Sequence, residues 1–97
     1  MIIVHDTFVC KPGNASKLAK MFKEAFIENK EMLHIMTDMT GPYNRVVLVS
    51  KFDNLTAYEQ SWEKMKQDPA AMEKMNKIMS GYIEMYQSGS REIFQVW

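Results

Sequence analysis

The sequence lacks several features that would assign it to a particular class of protein. Its only cysteine, Cys10, has no partner for a disulfide within the chain, which favours a reducing compartment, so we expect a cytoplasmic protein. Twelve basic and twelve acidic residues give a formal net charge of zero, which provides no general attraction for nucleic acid or an anionic membrane. The first apolar run, residues 1–4, is too short for a signal peptide or a membrane-spanning helix. We therefore expect no nucleic-acid partner and no membrane partner.

Glycine and proline are also scarce, and the rest of the composition is that of one globular domain. Four glycines and three prolines in 97 residues exclude a collagen-like repeat. Hydrophobic residues make up 46% of the chain and charged residues 25%, which is ordinary for a folded protein and not for a disordered one. Because a chain of this length can bury only one core, we expect residues 1–97 to form a single domain.

The hydrophobic pattern of the first half predicts strands around one helix. Residues 2–10 are rich in β-branched and aromatic types, which predicts a strand. Apolar residues then recur at helical spacing from Asn14 to about residue 32, which predicts a helix. Residues 34–40 and 45–53 flank a turn-forming tetrad, so they predict an antiparallel hairpin with its turn at 41–44.

The second half predicts two consecutive helical segments and a final strand. Apolar residues follow one another at intervals of three and four, at Leu55, Tyr58, Trp62 and Met65. Asp68 and Pro69 are typical of a helix N-cap and first turn, so a helix is predicted to restart there and to continue to the break at 88–90. Residues 91–97 are predicted to form the last strand.

This order of elements predicts an α+β fold, a ferredoxin-like βαββαβ subunit with a four-stranded antiparallel sheet covered by helices on one face. The other face is apolar as well, because Val46 and Leu48 alternate with Val47 and Val49 in the third strand. A solvated face would show polar residues at every second position. Since both helices are already used, we expect a second copy of the chain to cover this face, forming a homodimer.

Three segments resemble the dimeric α/β-barrel superfamily, and within it the antibiotic-biosynthesis-monooxygenase-like and NIPSNAP-like small domains. These segments are 2–13 (IIVHDTFVCKPG), 43–49 (YNRVVLV), and Phe52 followed by the helix of Trp62. The resemblance implies that two sheets pack into a barrel across a homodimer and that each subunit has a ligand cavity between its sheet and its helices. Superfamily members include cofactor-independent oxygenases of aromatic substrates, haem-degrading oxygenases, isomerases and proteins without an established activity.

The haem-degrading branch of the superfamily has a characteristic asparagine, tryptophan and haem-ligating histidine. In this chain Asp6 takes the place of the asparagine, Trp62 matches the tryptophan, and the position of the histidine falls around Met72 and Met75. No histidine lies between Trp62 and Trp97. The resemblance therefore disfavours haem degradation or haem binding, and no cofactor is expected.

Asp6 is the candidate catalytic residue. It shares its strand face with Ile2, Val4 and Phe8, which the helices are expected to cover, so its carboxylate would be partly desolvated and suited to general acid or base chemistry. The structural alternative is a carboxylate that is hydrogen-bonded to Tyr58, Tyr82 or Trp62. The neighbouring His5 points to the opposite face, so it cannot form a dyad with Asp6 within one subunit.

The remaining candidates are pocket residues rather than catalytic ones. We expect the ligand pocket to be lined by Phe8, Tyr58, Trp62, Met72 and Met75. Aromatic and methionine side chains line adaptable apolar pockets, although the same residues also build ordinary cores. With two histidines, one cysteine and no clustered carboxylates, no metal site is expected.

The resemblance implies a small-molecule enzyme of the cofactor-independent monooxygenase-like class, acting on an aromatic or otherwise apolar compound with Asp6 as proton acceptor or orienting group. The alternative is a non-catalytic ligand-binding or accessory homodimer. The two differ in one observable feature. An open cavity that reaches Asp6 favours the enzyme, and a closed core around Asp6 favours the accessory protein.

Overall fold

A computed structural model describes residues 1–41 and 43–97. The elements are β1 (Ile2–Cys10), α1 (Ala15–Ala25), β2 (Met32–Thr37), β3 (Arg45–Phe52), α2 (Leu55–Lys66), α3 (Pro69–Ile78), a short 3₁₀-helix (Tyr82–Met85) and β4 (Tyr86–Gln95). The predicted α+β ferredoxin-like fold is confirmed. Pro42, in the predicted turn 41–44, lies outside the described residues. None of the described helices is long and apolar enough to cross a membrane.

The four strands form one antiparallel sheet in the order β2-β3-β1-β4. β1 is a central strand, hydrogen-bonded to β3 on one side and to β4 on the other. In this register Asp6 lies opposite Leu48 of β3 and opposite Arg91 of β4. The first strand of the chain is therefore central, and the last strand pairs with it at the edge of the sheet.

The hydrophobic core lies between the sheet and α1. Leu18 of α1, Val4 and Val46 are completely buried, and Phe22 is 5% exposed. Along each element these buried residues are separated by more exposed ones. This pattern follows from the periodicity of side-chain direction, which is two residues in a strand and 3.6 residues in a helix. Each fully buried side chain of this kind contributes about 1.5–3 kcal/mol to the free energy of unfolding.

Helix α1 ends at Ala25, seven residues earlier than the predicted end at about residue 32. Phe26 donates its backbone N–H to Phe22 and closes the last turn. The side chain of Asn29 then accepts the backbone N–H of Glu31 at 2.9 Å, which stabilises a turn in place of further helix. As a result β2 begins at Met32, two residues before the predicted strand.

β4 begins at Tyr86, five residues before the predicted start at residue 91, so the prediction that the helix from Pro69 continues to the break at 88–90 was wrong beyond Ile78. The helix stops at Ile78, and Gly81 adopts a left-handed conformation at φ 80° that favours glycine. The segment 88–90, predicted as a break, pairs with β1. Hydrogen bonding to the central strand β1 outweighs the low strand propensity of the two serines and the glycine in segment 88–90.

The face of the sheet opposite the helices carries several apolar side chains. Val47 and Val49 of β3 pair with Thr7 and His5 of β1, and Ile3 and Val9 are the next residues of β1 on the same face. Exposed apolar residues extend this face onto the outer strands, at Met36, which is 42% exposed, and Phe94, which is 47% exposed. The chain itself thus leaves the second face partly open, as the alternation along β3 predicts.

An ion pair joins the strands of the β2–β3 hairpin. Asp38 accepts the backbone N–H of Arg45 at 3.0 Å and pairs with its guanidinium, where Nε lies 3.2 Å from the carboxylate. The side chain of Asp38 is only 8% exposed. The backbone hydrogen bond from Arg45 lowers the pKa of Asp38, burial opposes this shift, and the guanidinium lowers the pKa further, so that it lies below its ordinary value.

We expect this carboxyl group to make stability depend on pH. Because its pKa is lower in the folded chain than in the unfolded chain, its stabilising effect is complete above the unfolded value, at about pH 4, and is lost as the pH falls through the folded value. Asp38→Asn should therefore be less stable than the wild type at neutral pH, and the difference should disappear on acidification. Urea unfolding over a pH series measures this, with the exposed Asp53→Asn as a control. Parallel curves for the wild type and Asp38→Asn would contradict it.

Candidate functional site

A cavity of about 450 Å³ lies between the sheet and the helices. All four strands and all three α-helices, or the turns next to them, contribute to it. Its apolar and aromatic lining consists of Phe8, Phe22, Phe26, Met32, Leu48, Phe52, Tyr58, Trp62, Met65, Met75, Met79, Tyr82 and Tyr86. Its polar lining consists of Asp6, Asn29, Glu31, Ser50, Ser61, Asn76 and Arg91. This volume and this mostly apolar lining are typical of a small-molecule site.

Part of the apolar lining of the cavity is deeply buried. Phe22, Leu48 and Met79 are each less than a tenth exposed. Phe8 packs against Phe22 with 5.1 Å between the ring centres and edge-on against Tyr86 at 5.0 Å. Such tilted and edge-to-face pairs fix the positions of the rings that form the wall.

The polar part is organised by an ion pair between Asp6 and Arg91. These residues face each other across β1 and β4, and Arg91 Nε donates to Asp6 Oδ1 at 2.5 Å. The side chain of Asp6 is 18% exposed and that of Arg91 is 46% exposed. The pair therefore lies where the cavity meets solvent.

Two aromatic side chains of α2 hold the guanidinium of Arg91. Its Cζ lies 5.5 Å from the ring centre of Trp62 and 5.8 Å from that of Tyr58, within the range of cation–π attraction. Burial lowers the pKa of Arg91, but the hydrogen bond and the charge of Asp6, together with the neighbouring Tyr58 hydroxyl, outweigh this, and the pKa lies above its ordinary value. Arg91 is therefore a permanent cation with a fixed orientation.

The hydroxyl of Tyr58 is a buried polar atom without a hydrogen-bond partner among the residues that the structure describes. Its ring is held edge-on by Phe52 at 5.1 Å and by Trp62 at 6.4 Å between ring centres. Buried polar atoms are nearly always hydrogen-bonded in folded proteins, so an exception needs an explanation. This hydroxyl belongs to a residue that lines the cavity.

The structure brings most of the sequence-predicted site residues together around this cavity. Asp6, Phe8, Tyr58, Trp62 and Met75 all line it. Met72 is not part of the lining, although it lies one turn before Met75 on α3, at the end of the helix away from the cavity residues Met75, Asn76 and Met79.

Sequence reasoning missed Arg91. The sequence alternative paired Asp6 with Tyr58, Tyr82 or Trp62, whereas the structure pairs it with Arg91 of β4. The only signal in the sequence was a positively charged residue on the last strand. Assigning that residue as the partner of Asp6 requires the exact register of β1 and β4. His5 lies on the other face of β1, edge-on to Phe94 with 5.3 Å between ring centres. Within residues 1–41 and 43–97, no three histidine, cysteine or acidic side chains are grouped as metal ligands would be.

We expect Tyr58→Phe to stabilise the free protein by about 1 kcal/mol, because it removes a buried hydroxyl without a partner and keeps the ring contacts. Urea unfolding measures the difference in the free energy of unfolding. Tyr43→Phe, at a tyrosine that is 74% exposed, is the matched control and should change little. A clear loss of stability in Tyr58→Phe alone would show that the hydroxyl is hydrogen-bonded.

Known structures share this fold over nearly the whole chain. An uncharacterized NIPSNAP domain protein from Burkholderia xenovorans has a TM-score of 0.80 at 14% identity, covering 100% of this chain and 95% of that one. A NIPSNAP family protein of unknown function from Agrobacterium tumefaciens has a TM-score of 0.75 at 15% identity, covering 97% and 86%. An antibiotic biosynthesis monooxygenase has a TM-score of 0.61 at 10% identity, covering 100% and 99%. At these identities the likeness shows the fold alone.

Comparison of sequences identifies the family of the chain, which the shared fold alone does not. No curated protein is significantly similar to the chain. The NIPSNAP family model, however, matches residues 5–90, which include most of β1, all of α1, the hairpin, α2 and α3, and every residue of the cavity lining except Arg91. The chain therefore belongs to the NIPSNAP family.

Proposed function

We propose that this protein is a small-molecule enzyme of the monooxygenase-like class that acts, without a cofactor, on an aromatic or otherwise apolar compound. The observation that carries the proposal is the open cavity of about 450 Å³ that reaches Asp6. A core closed around Asp6 would instead have favoured an accessory role. The shared fold with an antibiotic biosynthesis monooxygenase supports the class of reaction.

In this proposal Asp6 is the proton acceptor. Its Oδ1 accepts from Arg91, and its Oδ2 has no hydrogen-bond partner within the described part of the chain. Asp6 takes a proton from an activated methylene of the ligand, and the electron pair of the broken C–H bond stays on the ligand as an enolate. Dioxygen, the oxidant, then reacts with this anion. One oxygen atom is retained as a carbonyl and the other leaves as water, so that methylene and dioxygen give carbonyl and water.

Asp6→Asn is expected to lower the rate by about 100-fold or more, because an amide accepts a hydrogen bond from Arg91 but cannot take up a proton. The measurement is dioxygen uptake with a panel of aromatic ketones that have an enolisable methylene group, with the products identified by mass spectrometry. Glu73→Gln removes an exposed carboxylate of α3 that does not line the cavity and should keep the wild-type rate.

Two results of this experiment would count against the enzyme. A full rate in Asp6→Asn would exclude Asp6 as the proton acceptor. Binding of the panel compounds by the wild type without any dioxygen uptake would favour the second candidate, a ligand-binding or accessory homodimer. The observation that favours this second candidate is the ion pair itself, because Arg91 already compensates the charge of Asp6.

We further propose that the protein is a homodimer in which two sheets pack face to face. Support comes from the apolar side chains on the face opposite the helices, including Val47, Val49 and the half-exposed Phe94. All three α-helices contribute to the cavity on the other face, so the described chain has no further layer to cover this one. A second copy offers the same apolar surface and buries both at once.

Val47→Lys should convert the dimer into a monomer, because it places two charges in the middle of the proposed interface. Light scattering after gel filtration should give twice the chain mass of 11.4 kDa for the wild type and the chain mass for the variant. Ile27→Lys, at a residue that is 77% exposed in the turn after α1, is the matched control and should remain dimeric. A monomeric wild type would contradict the proposal.

A further inference from the structure

Helices α2 and α3 are less buried than the rest of the layer that covers the sheet. Neither of them contains a buried residue, whereas Leu18 and Phe22 of α1 lie in the core. Trp62, in the middle of α2, is 43% exposed. Segments with few buried apolar contacts open at a lower free energy than the core of the same protein. Of the walls of the cavity, α2 and α3 are therefore the ones expected to open first.

The contacts that hold α2 and α3 to the remainder of the fold are all made by side chains. Within the part of the chain that the structure describes, no hydrogen bond or ion pair joins these helices to the sheet or to α1. Tyr58 packs edge-on against Phe52, the rings of Tyr58 and Trp62 lie beside Arg91, and Met75 packs against the core. Such contacts can separate without leaving a backbone group unpaired.

The connection between the two helices is short and hydrogen-bonded. Gln67 donates its backbone N–H to Glu63, and Asp68 donates its own to Met65, so both connecting residues are tied to the last turn of α2. The side chain of Asp68 accepts the backbone N–H of Ala71 at 3.1 Å and so caps α3. Because Asp68 is bonded to both helices, α2 and α3 move together as one unit.

The residues on either side of this unit can act as hinges. Asn54, between β3 and α2, has an extended backbone with φ −162°. Gly81, after α3, has φ 80°, and a Cβ placed on it would meet nothing within 4 Å. Hinges are typically a few residues at the ends of elements, which absorb the change in backbone angles. Open space around Gly81 leaves its backbone free to do so.

The closed position of α2 also has an unfavourable feature. It buries the hydroxyl of Tyr58, which is near the guanidinium of Arg91 but makes no hydrogen bond with it or with any other described residue. Movement of α2 away from the sheet would let water pair with this hydroxyl. A buried polar group without a partner destabilises the state that buries it, so the hydroxyl favours opening.

We infer that residues 55–78 form a lid over the cavity, which opens as one unit while the sheet and α1 stay folded and closes on the molecule that the cavity holds. The role of the opening rests on the proposed function, because it admits an apolar compound to the buried lining at Phe22 and Met79. The proposed dimer uses the opposite face of the sheet, so the lid is free to move in it.

Hydrogen–deuterium exchange of the whole protein, followed by mass spectrometry of its peptides, tests the opening. Relative to unstructured peptides, amides of the lid should be protected at least about tenfold less than amides of β1 and α1. A low concentration of urea should accelerate exchange of the lid only slightly, because opening the lid exposes less surface than unfolding the whole chain. Equal protection and equal urea dependence in the lid, β1 and α1 would overturn the inference.

Two variants separate opening of the lid from unfolding of the whole chain. Val4→Ala, at a completely buried residue of β1 that does not line the cavity, weakens only the core. It should accelerate exchange of β1 and α1 by about tenfold and leave exchange of the lid unchanged. Tyr58→Phe should slow exchange of the lid and of α1 by the same factor, about fivefold, because both openings expose the hydroxyl. Tyr43→Phe is the matched control and should change neither.

Parallel acceleration of the lid and β1 in Val4→Ala would show that the lid opens only when the whole chain unfolds. Naphthalene then tests closure, with its binding followed by its own fluorescence. Saturating naphthalene should slow exchange of the lid, and unchanged exchange with naphthalene bound would refute closure. Failure of naphthalene to bind would count against the cavity of the proposed function and against closure, whereas opening would still be decided by the exchange of the free protein.

Discussion

The pairing of β1 with β4 is the interaction on which the candidate site depends. β1 carries Asp6 and β4 carries Arg91, and these residues are 85 positions apart in the sequence. The antiparallel register sets them opposite each other, between the aromatic side chains of α2 and the core. A shift of the register by one residue would turn Arg91 to the opposite face of the sheet. The position of the cavity thus follows from the fold, but its chemistry follows from the register of one strand pair.

The ion pair contributes more to geometry than to stability. Because Arg91 is nearly half exposed, its attraction to Asp6 is screened by solvent, and pairs of this kind contribute about 0–1 kcal/mol. Their effect on orientation is larger. Each side chain has several rotatable bonds, and the pair, together with the rings of Tyr58 and Trp62, selects one arrangement before any ligand binds. Groups that are oriented in advance do not lose that freedom on binding, which favours both affinity and catalysis.

The sequence predicted those parts of the molecule that depend on local pattern. Alternation along β1 places Ile2 and Val4 in the core and His5 on the other face, and the structure confirms this arrangement. The helical spacing around Trp62 likewise predicted the inward face of α2, where Tyr58 and Trp62 line the cavity. In these elements, propensity and burial favour the same conformation.

The features that could not be predicted depend on contacts between distant segments. The end of α1 is a local exception, because a turn around Asn29, held by its side-chain hydrogen bond from Glu31 and by backbone hydrogen bonds to Phe26 and from Met32, replaces further helix. The start of β4 is determined by a central strand that pairs with a serine- and glycine-containing segment of low strand propensity. Arg91 was missed for the same reason, because its neighbour is identified by register and not by spacing along the chain.

The central position of β1 also has a consequence for the synthesis of the protein. Of the described elements β1 is synthesised first, and one of its two neighbours, β4, is synthesised last. Until β4 has been made, one edge of β1 exposes unpaired backbone groups, and such edges can pair with other chains. Contacts of such long sequence separation also slow folding. The nascent chain therefore carries an open sheet edge until β4 has been made, and the candidate site exists only after β4 has paired.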